Sequence, residues 1–156
     1  MRKIIFLYSV FCFTLISCGF EPIYKFSEEK FYISNINYEG NKSINRIINK
    51  SLEGYKLNNE GSNYKLTIIS NEEKNISSKD NKGNPKTFSY LVNVKIIVVQ
   101  NNTEKYDKNF QENINYNNKD NKFELKKYER NIKFNLSEKI SKDIIQYLLY
   151  LKIQWL

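Results

Sequence analysis

The stretch Phe88-Ser89-Tyr90-Leu91-Val92-Asn93-Val94-Lys95-Ile96-Ile97-Val98 decides the fold of this chain. Phe88, Tyr90, Val92, Val94, Ile96 and Val98 recur at every second position, with Ser89, Asn93 and Lys95 between them. Successive side chains of a strand point to opposite faces, so this is a strand with one apolar and one polar face. Gly83-Asn84-Pro85 supplies turn chemistry before it, and Asn101-Asn102 a tight turn after it. Tyr106, Phe110, Ile114 and Tyr116 share parity in the segment that follows, which completes a hairpin.

Upstream, Tyr64, Leu66 and Ile68 alternate with Lys65 and Thr67, marking another strand. Pairing of this strand is free to continue into the polar run from Asn71 to Lys86. Phe31 to Tyr38, aromatic and β-branched and closed by Gly40, reads as the first strand. Asn41 or Ser43 then caps a helix whose stripe is Ile44, Ile47, Ile48, Leu52 and Tyr55, with Gly54 and Gly61 marking its end. A second helix is far longer. Leu125, Tyr128, Ile132, Leu136, Ile140, Ile144, Leu148 and Leu151 form one apolar stripe, about 27 residues or roughly 40 Å of helix. A one-sided stripe beside a sheet with one apolar face is core packing. The order β-α-β-β-β-α predicts an α+β two-layer sandwich: a four-stranded sheet with two helices on one face. The other face, carrying Lys95, is left open. Asn115 to Asn121 is expected to be loop.

The first residues carry a different signal. Arg2 and Lys3 precede an apolar run from Ile4 to Ile16, shorter than the roughly 20 residues that span a bilayer as a helix. That is the form of an export leader. Leu15-Ile16-Ser17-Cys18 resembles the bacterial lipobox, which implies cleavage after Ser17 and a diacylglyceryl group on the thiol of Cys18. Gly19 stands where an inner-membrane retention signal has aspartate, so the resemblance implies sorting to the outer membrane, on its periplasmic side. The expected organisation is a lipoprotein signal peptide over 1–17, a lipidated N-terminus and tether over 18–30, and the α+β domain over 31–156.

With Cys12 in the leader and Cys18 acylated, the mature chain keeps no thiol for a disulfide or a metal. Histidine is absent, which excludes the usual zinc sites and Ser-His or Cys-His triads. Neither a glycine-rich phosphate loop nor a nucleophile elbow is present. No carboxylate pair sits in a recognisable motif. The expectation is a protein that is not an enzyme and that carries no metal or cofactor. Net charge is +8, or +6 once Arg2 and Lys3 are lost with the leader. A basic domain on a membrane points to an anionic partner such as phosphate-bearing lipid, whereas export argues against nucleic acid. Abundant Lys, Asn and Ile also follow from coding bias alone.

Cys18-Gly19-Phe20-Glu21-Pro22-Ile23-Tyr24 resembles the opening of the alphaproteobacterial lipopolysaccharide-assembly lipoproteins, the LptE family, with Ile23 where that family has leucine. Gly83-Asn84-Pro85 with the strand from Thr87 is similar to its turn and central strand. Ile114-Asn115-Tyr116-Asn117 leading to Tyr128-Glu129-Arg130 resembles its last strand end and C-terminal helix, without that helix's alanines. The resemblance implies an outer-membrane lipoprotein that sits as a plug in a large LptD-like β-barrel. It implies help with assembly of that barrel and with insertion of lipopolysaccharide into the outer leaflet. Lys79, Lys82 and Lys86 around the turn, and Lys126, Lys127 and Arg130 near the start of the long helix, are then candidates to meet lipid A phosphates or acidic core sugars. The plainer reading is a solvated loop and a solvated helix face. Trp155 and Leu156 read as a frayed helix end. Two other roles fit the same leader: an accessory lipoprotein of another envelope lipid transporter, and a lipid-anchored glycan hydrolase.

Overall fold

The structure is a computed structural model and describes residues 31–56, 64–100 and 104–153. The leader, Cys18, the tether, Gly61, Asn101-Asn102 and Trp155-Leu156 lie outside the described residues. Six main elements follow in the order expected: β1 (Ile33–Gly40), α1 (Lys42–Leu52), β2 (Tyr64–Lys79), β3 (Pro85–Gln100), β4 (Glu104–Asn117) and α2 (Lys122–Ile153). A short 3₁₀ turn, Glu53–Tyr55, ends α1. The sheet order is β1-β2-β3-β4. β1 and β2 run parallel because α1 carries the chain back between them, and the β2-β3 and β3-β4 pairs are antiparallel.

At the end of β1 the chain must turn sharply. Gly40 adopts φ +84°, a conformation open to glycine and costly for other residues. Asn41 then caps α1, its Oδ1 accepting from the backbone N–H groups of Ser43 at 3.0 Å and Ile44 at 3.1 Å. Ile44, Ile48 and Leu52 are fully buried on the inward side of α1.

The helices and the sheet share one core. Val92, Val94, Ile96 and Val98 of β3 are fully buried, beside Leu66 and Ile68 of β2. α2 contributes Leu125, Ile132, Leu136, Ile140, Ile144, Leu148 and Leu151. Each such side chain withdrawn from water stabilises the fold by roughly 1.5–3 kcal/mol before entropy is counted. The lengths match: 32 residues of helix span about 48 Å and 16 residues of strand about 53 Å. α2 therefore follows the sheet from one end to the other. α1, with 11 residues, covers only the end where β1 lies. That end, where the described chain begins, is called the base; the β2-β3 turn is at the opposite end, the tip.

As the sequence allowed, β2 runs on into the polar stretch as far as Lys79 and pairs with β3 along that length. Two details differ from the expectations. Asn115 and Asn117 belong to β4 and pair with Ser89 and Thr87, so the loop shrinks to residues 118–121. Asparagine is a poor strand former, but β3 offers a full ladder of backbone partners here, and tertiary pairing prevails over propensity. Tyr128, placed in the buried stripe, is 37% exposed, since it packs edge-on against Tyr116 at the margin of the core.

Candidate anion-binding tip

The β2-β3 turn is held rigidly by Asp80. Its Oδ1 accepts from the backbone N–H groups of Lys82 at 2.9 Å and Asn84 at 2.8 Å, and its Oδ2 from the Asn84 side chain. Gly83 takes φ +84° at the bend. The Asn84 and Lys82 donors hold the Asp80 carboxyl below its usual pKa, so it stays charged as the hub of the turn. Lys79, Lys82 and Lys86 surround this hub, all exposed. Among the described residues, no carboxylate lies within ion-pair distance of any of the three.

The second basic group is brought to the same end of the molecule. β4 finishes against the start of β3, with Thr87 opposite Asn117. Asn118 then donates from its backbone N–H to the Lys86 carbonyl and from its side chain to the Pro85 carbonyl, both at 2.8 Å. Asn121 caps α2 by accepting from Phe123 and Glu124. Lys126, Lys127 and Arg130 thus stand on the opening turns of a helix that begins beside the hairpin tip. All three are exposed, and none has an ion-pair partner among the described residues. From that start the second cluster runs down α2, so that Lys126 and Arg130 reach the level of Glu72 and Lys74, roughly 17–23 Å along β2 from Lys79.

Lys126 and Arg130 line an open cleft of about 470 Å³ with Glu72, Lys74, Tyr90, Glu129 and Lys133. Lys127 is not among its lining residues. Two bridges cross from β2 to α2: Lys133 to Glu72 at 2.8 Å and Lys74 to Glu129 at 2.5 Å. The Tyr90 hydroxyl donates to Glu72 and the Tyr116 hydroxyl to Glu129. Burial alone would raise the pKa of Glu72, but the Lys133 and Tyr90 hydrogen bonds outweigh it and the pKa is lowered. Burial, reinforced by the facing carboxylates, keeps both tyrosines protonated well above their normal range. The two carboxylates satisfy Lys74 and Lys133, leaving Lys126 and Arg130 as the uncompensated charges of the cleft.

Aromatic surface adjoins these cations. Phe88 and Tyr116 pack at 5.6 Å and Tyr116 and Tyr128 at 5.8 Å, with Lys74 over Phe88 and Lys119 over Tyr128. Phe123 is 72% exposed and Ile76 49%. The tip therefore combines point charges suited to phosphate or carboxylate with apolar surface beside them. Glu72, Lys74, Glu129 and Lys133 were not anticipated from sequence. Their signals were present: Glu72 and Lys74 continue the inward parity of Leu66 and Ile68, and Glu129 and Lys133 are spaced i, i+4 on α2. Among the described residues no group of acidic side chains is arranged to hold a metal ion. No helix there is long and apolar enough to cross a membrane.

This arrangement, a four-stranded sheet with a short helix and a full-length helix on one face, is the fold of a group of solved bacterial lipoproteins. The crystal structure of rare lipoprotein B from Shewanella oneidensis matches with a TM-score of 0.63 at 14% identity, covering 78% of this chain and 98% of that one. A minor lipoprotein from Acinetobacter baumannii matches at 0.59 and 9% identity, covering 74% and 89%. The solution structure of lipoprotein B from Nitrosomonas europaea matches at 0.58 and 14% identity, covering 74% and 80%. No protein-family model and no curated protein sequence matches this chain.

Proposed function

We propose that this chain is a lipid-anchored outer-membrane lipoprotein that partners a large β-barrel and assists insertion of lipopolysaccharide, acting by binding and scaffolding and not by catalysis. The observation that carries the reading is the polarity of the domain along its length. The described chain begins at the base, where Phe31 stacks on Tyr55 and Ile33 pairs with Tyr64. Lys79, Lys82 and Lys86, none of them ion-paired among the described residues, stand at the tip, some 50 Å away by the rise of β2. A chain tethered through Cys18 would thus be held at one end and present this lysine-rich turn at the other. A bilayer with its headgroups is about 40–45 Å thick, so a domain of this length held at the periplasmic leaflet is long enough to reach across a barrel lumen. Phosphate groups of lipid A are the anions that such a tip would meet, and the exposed Phe123 and Ile76 suit the acyl region beside them.

Co-purification from detergent-solubilised outer membranes tests the partnership. Recovery of a large β-barrel protein supports it; recovery of an inner-membrane transporter instead would assign the chain to a different lipid pathway. Mass spectrometry of the mature protein tests the anchor, which requires Cys18 to be the first residue and to carry acyl chains. Turnover of peptidoglycan by the purified protein would overturn the non-catalytic role.

A further inference from the structure

The two long strands with open edges are protected very differently. Beyond Ser70, where β1 ends, β2 has a partner only on the β3 side, and its register with β3 shifts twice, between Ile76 and Ser78 and between Ser78 and Lys79. Irregularity of this kind, with Lys74 and Lys79 along the edge, discourages strand addition. β4 has no such interruption. Its register with β3 is continuous from Glu104 to Asn117, and its outer edge has no strand beside it among the described residues. An unbroken edge of 14 residues is a template for another strand.

We propose that this edge pairs with the same edge of a second copy, antiparallel, about a two-fold axis at Phe110. The charge pattern of β4 itself favours this pairing. With Phe110 opposite Phe110 of the second copy, Lys108 falls opposite Glu112 of the second copy, twice by symmetry. Tyr106 falls opposite Ile114 on the same face. On the other face Asn109 meets Gln111, Asp107 meets Asn113 and Lys105 meets Asn115. No like charges oppose, and the overlap takes in 13 of the 14 residues of β4. Sliding the axis to Lys108 sets Lys108 against Lys108 and Glu104 against Glu112; sliding it to Glu112 sets that carboxylate against itself. Axes at Asn109 or Gln111 place no opposite charges together. Among the registers that overlap more than half of β4, the strand is self-complementary in one, as a two-fold interface requires. Glu112 already accepts from Lys139 of α2, and a carboxylate has room for a second donor. The centre is apolar: Phe110 is partly buried and packs edge-on against Tyr147. The result is a continuous eight-stranded sheet with the helices of both copies on one side. This surface is separate from the basic tip and describes the lipoprotein in the absence of a barrel.

The test uses the mature full-length lipoprotein in detergent, purified free of other proteins, with sedimentation velocity as the readout. The expected species is a dimer. Lys108→Glu creates two like-charge pairs across the axis and weakens the dimer about tenfold or more, and adding Glu112→Lys restores it. Far-UV circular dichroism of the single variant is expected to match that of the unaltered protein. A short bismaleimide is expected to link Phe110→Cys to itself but not Asn113→Cys, whose copies lie six residues out of register. A protein that is monomeric at every concentration overturns the proposal. So does a dimer indifferent to Lys108→Glu, or one that crosslinks through residue 113 and not 110.

Discussion

A Cβ atom placed on Gly40 would lie 2.0 Å from the backbone carbonyl oxygen of Ser70. The contact is with backbone, which cannot swing aside, and Gly40 also holds φ +84°. Both facts follow from the closeness of β1 and β2 at the point where the chain leaves the sheet for α1. Gly40→Ala is therefore expected to destabilise the domain by about 2–4 kcal/mol, combining strain at positive φ with separation of the strands. Chemical denaturation of the purified protein measures it. Wild-type stability in this variant would mean that β1 and β2 are not held so closely.

The same junction is closed by a small polar cluster. Asn45 donates from its side chain to the Glu39 carbonyl at 2.9 Å and accepts from the Ser70 hydroxyl at 2.7 Å, with both residues buried. Asn41 donates its backbone N–H to the Ser70 carbonyl at 3.0 Å. Asn45→Ala removes the side-chain donor to the Glu39 carbonyl and leaves the Ser70 hydroxyl with Asn41 alone, and weakening buried polar pairing in this way costs about 1–3 kcal/mol. Asn45→Ala with Ser70→Ala is expected to cost less than the two single changes added. A double-mutant cycle by urea unfolding reads the difference, and strict additivity would deny the coupling.

Comparison of the sequence with the structure explains which parts were readable. The β3 alternation and the α2 stripe were plain because each is buried along one side for nearly its whole length, so its period repeats. The distal half of β2 was not plain. Beyond Ser70 its inward positions are Glu72, Lys74 and Ile76, which face the rim of the core and make ion pairs where more central strands place valine. An apolar pattern fails where the helical layer narrows to α2 alone. The bridges of Lys133 to Glu72 and Lys74 to Glu129 join residues 61 and 55 positions apart, and no local spacing announces them. The cations were legible as residue types, whereas the start of α2 beside the hairpin turn depends on β4 ending at Asn118, which bonds Lys86 and Pro85.

Glu72 makes stability dependent on pH in a defined direction. Its pKa is lowered in the fold, since Lys133 and Tyr90 favour the charged form more than burial disfavours it. Stability from a depressed carboxylate is fully present above the unfolded value, near 4.5, and is lost as pH falls through the lower folded value. Glu72→Gln is expected to remove part of the stability at neutral pH and to flatten its decline below about pH 4.5. Unfolding free energies for both proteins between pH 3 and 7 give the comparison. Parallel curves would show that Glu72 contributes no linkage.

The basic tip makes a binding prediction that the fold can survive. Lys79, Lys82 and Lys86 are exposed around a turn organised by Asp80, so replacing all three with Glu leaves the turn's hydrogen bonds in place. Far-UV circular dichroism is expected to be unchanged. Binding to lipopolysaccharide micelles is expected to weaken at least tenfold, because three attractive charges become three repulsive ones, and to become less sensitive to salt. Lys126, Lys127 and Arg130 give the companion set. If the tip acts as one surface, each triple variant weakens binding, and combining them costs less than the two effects added, since lipopolysaccharide already displaced from one cluster has little left to lose at the other. Unchanged affinity in the first set would remove the turn from the site, and full additivity would divide the tip into two independent anion sites.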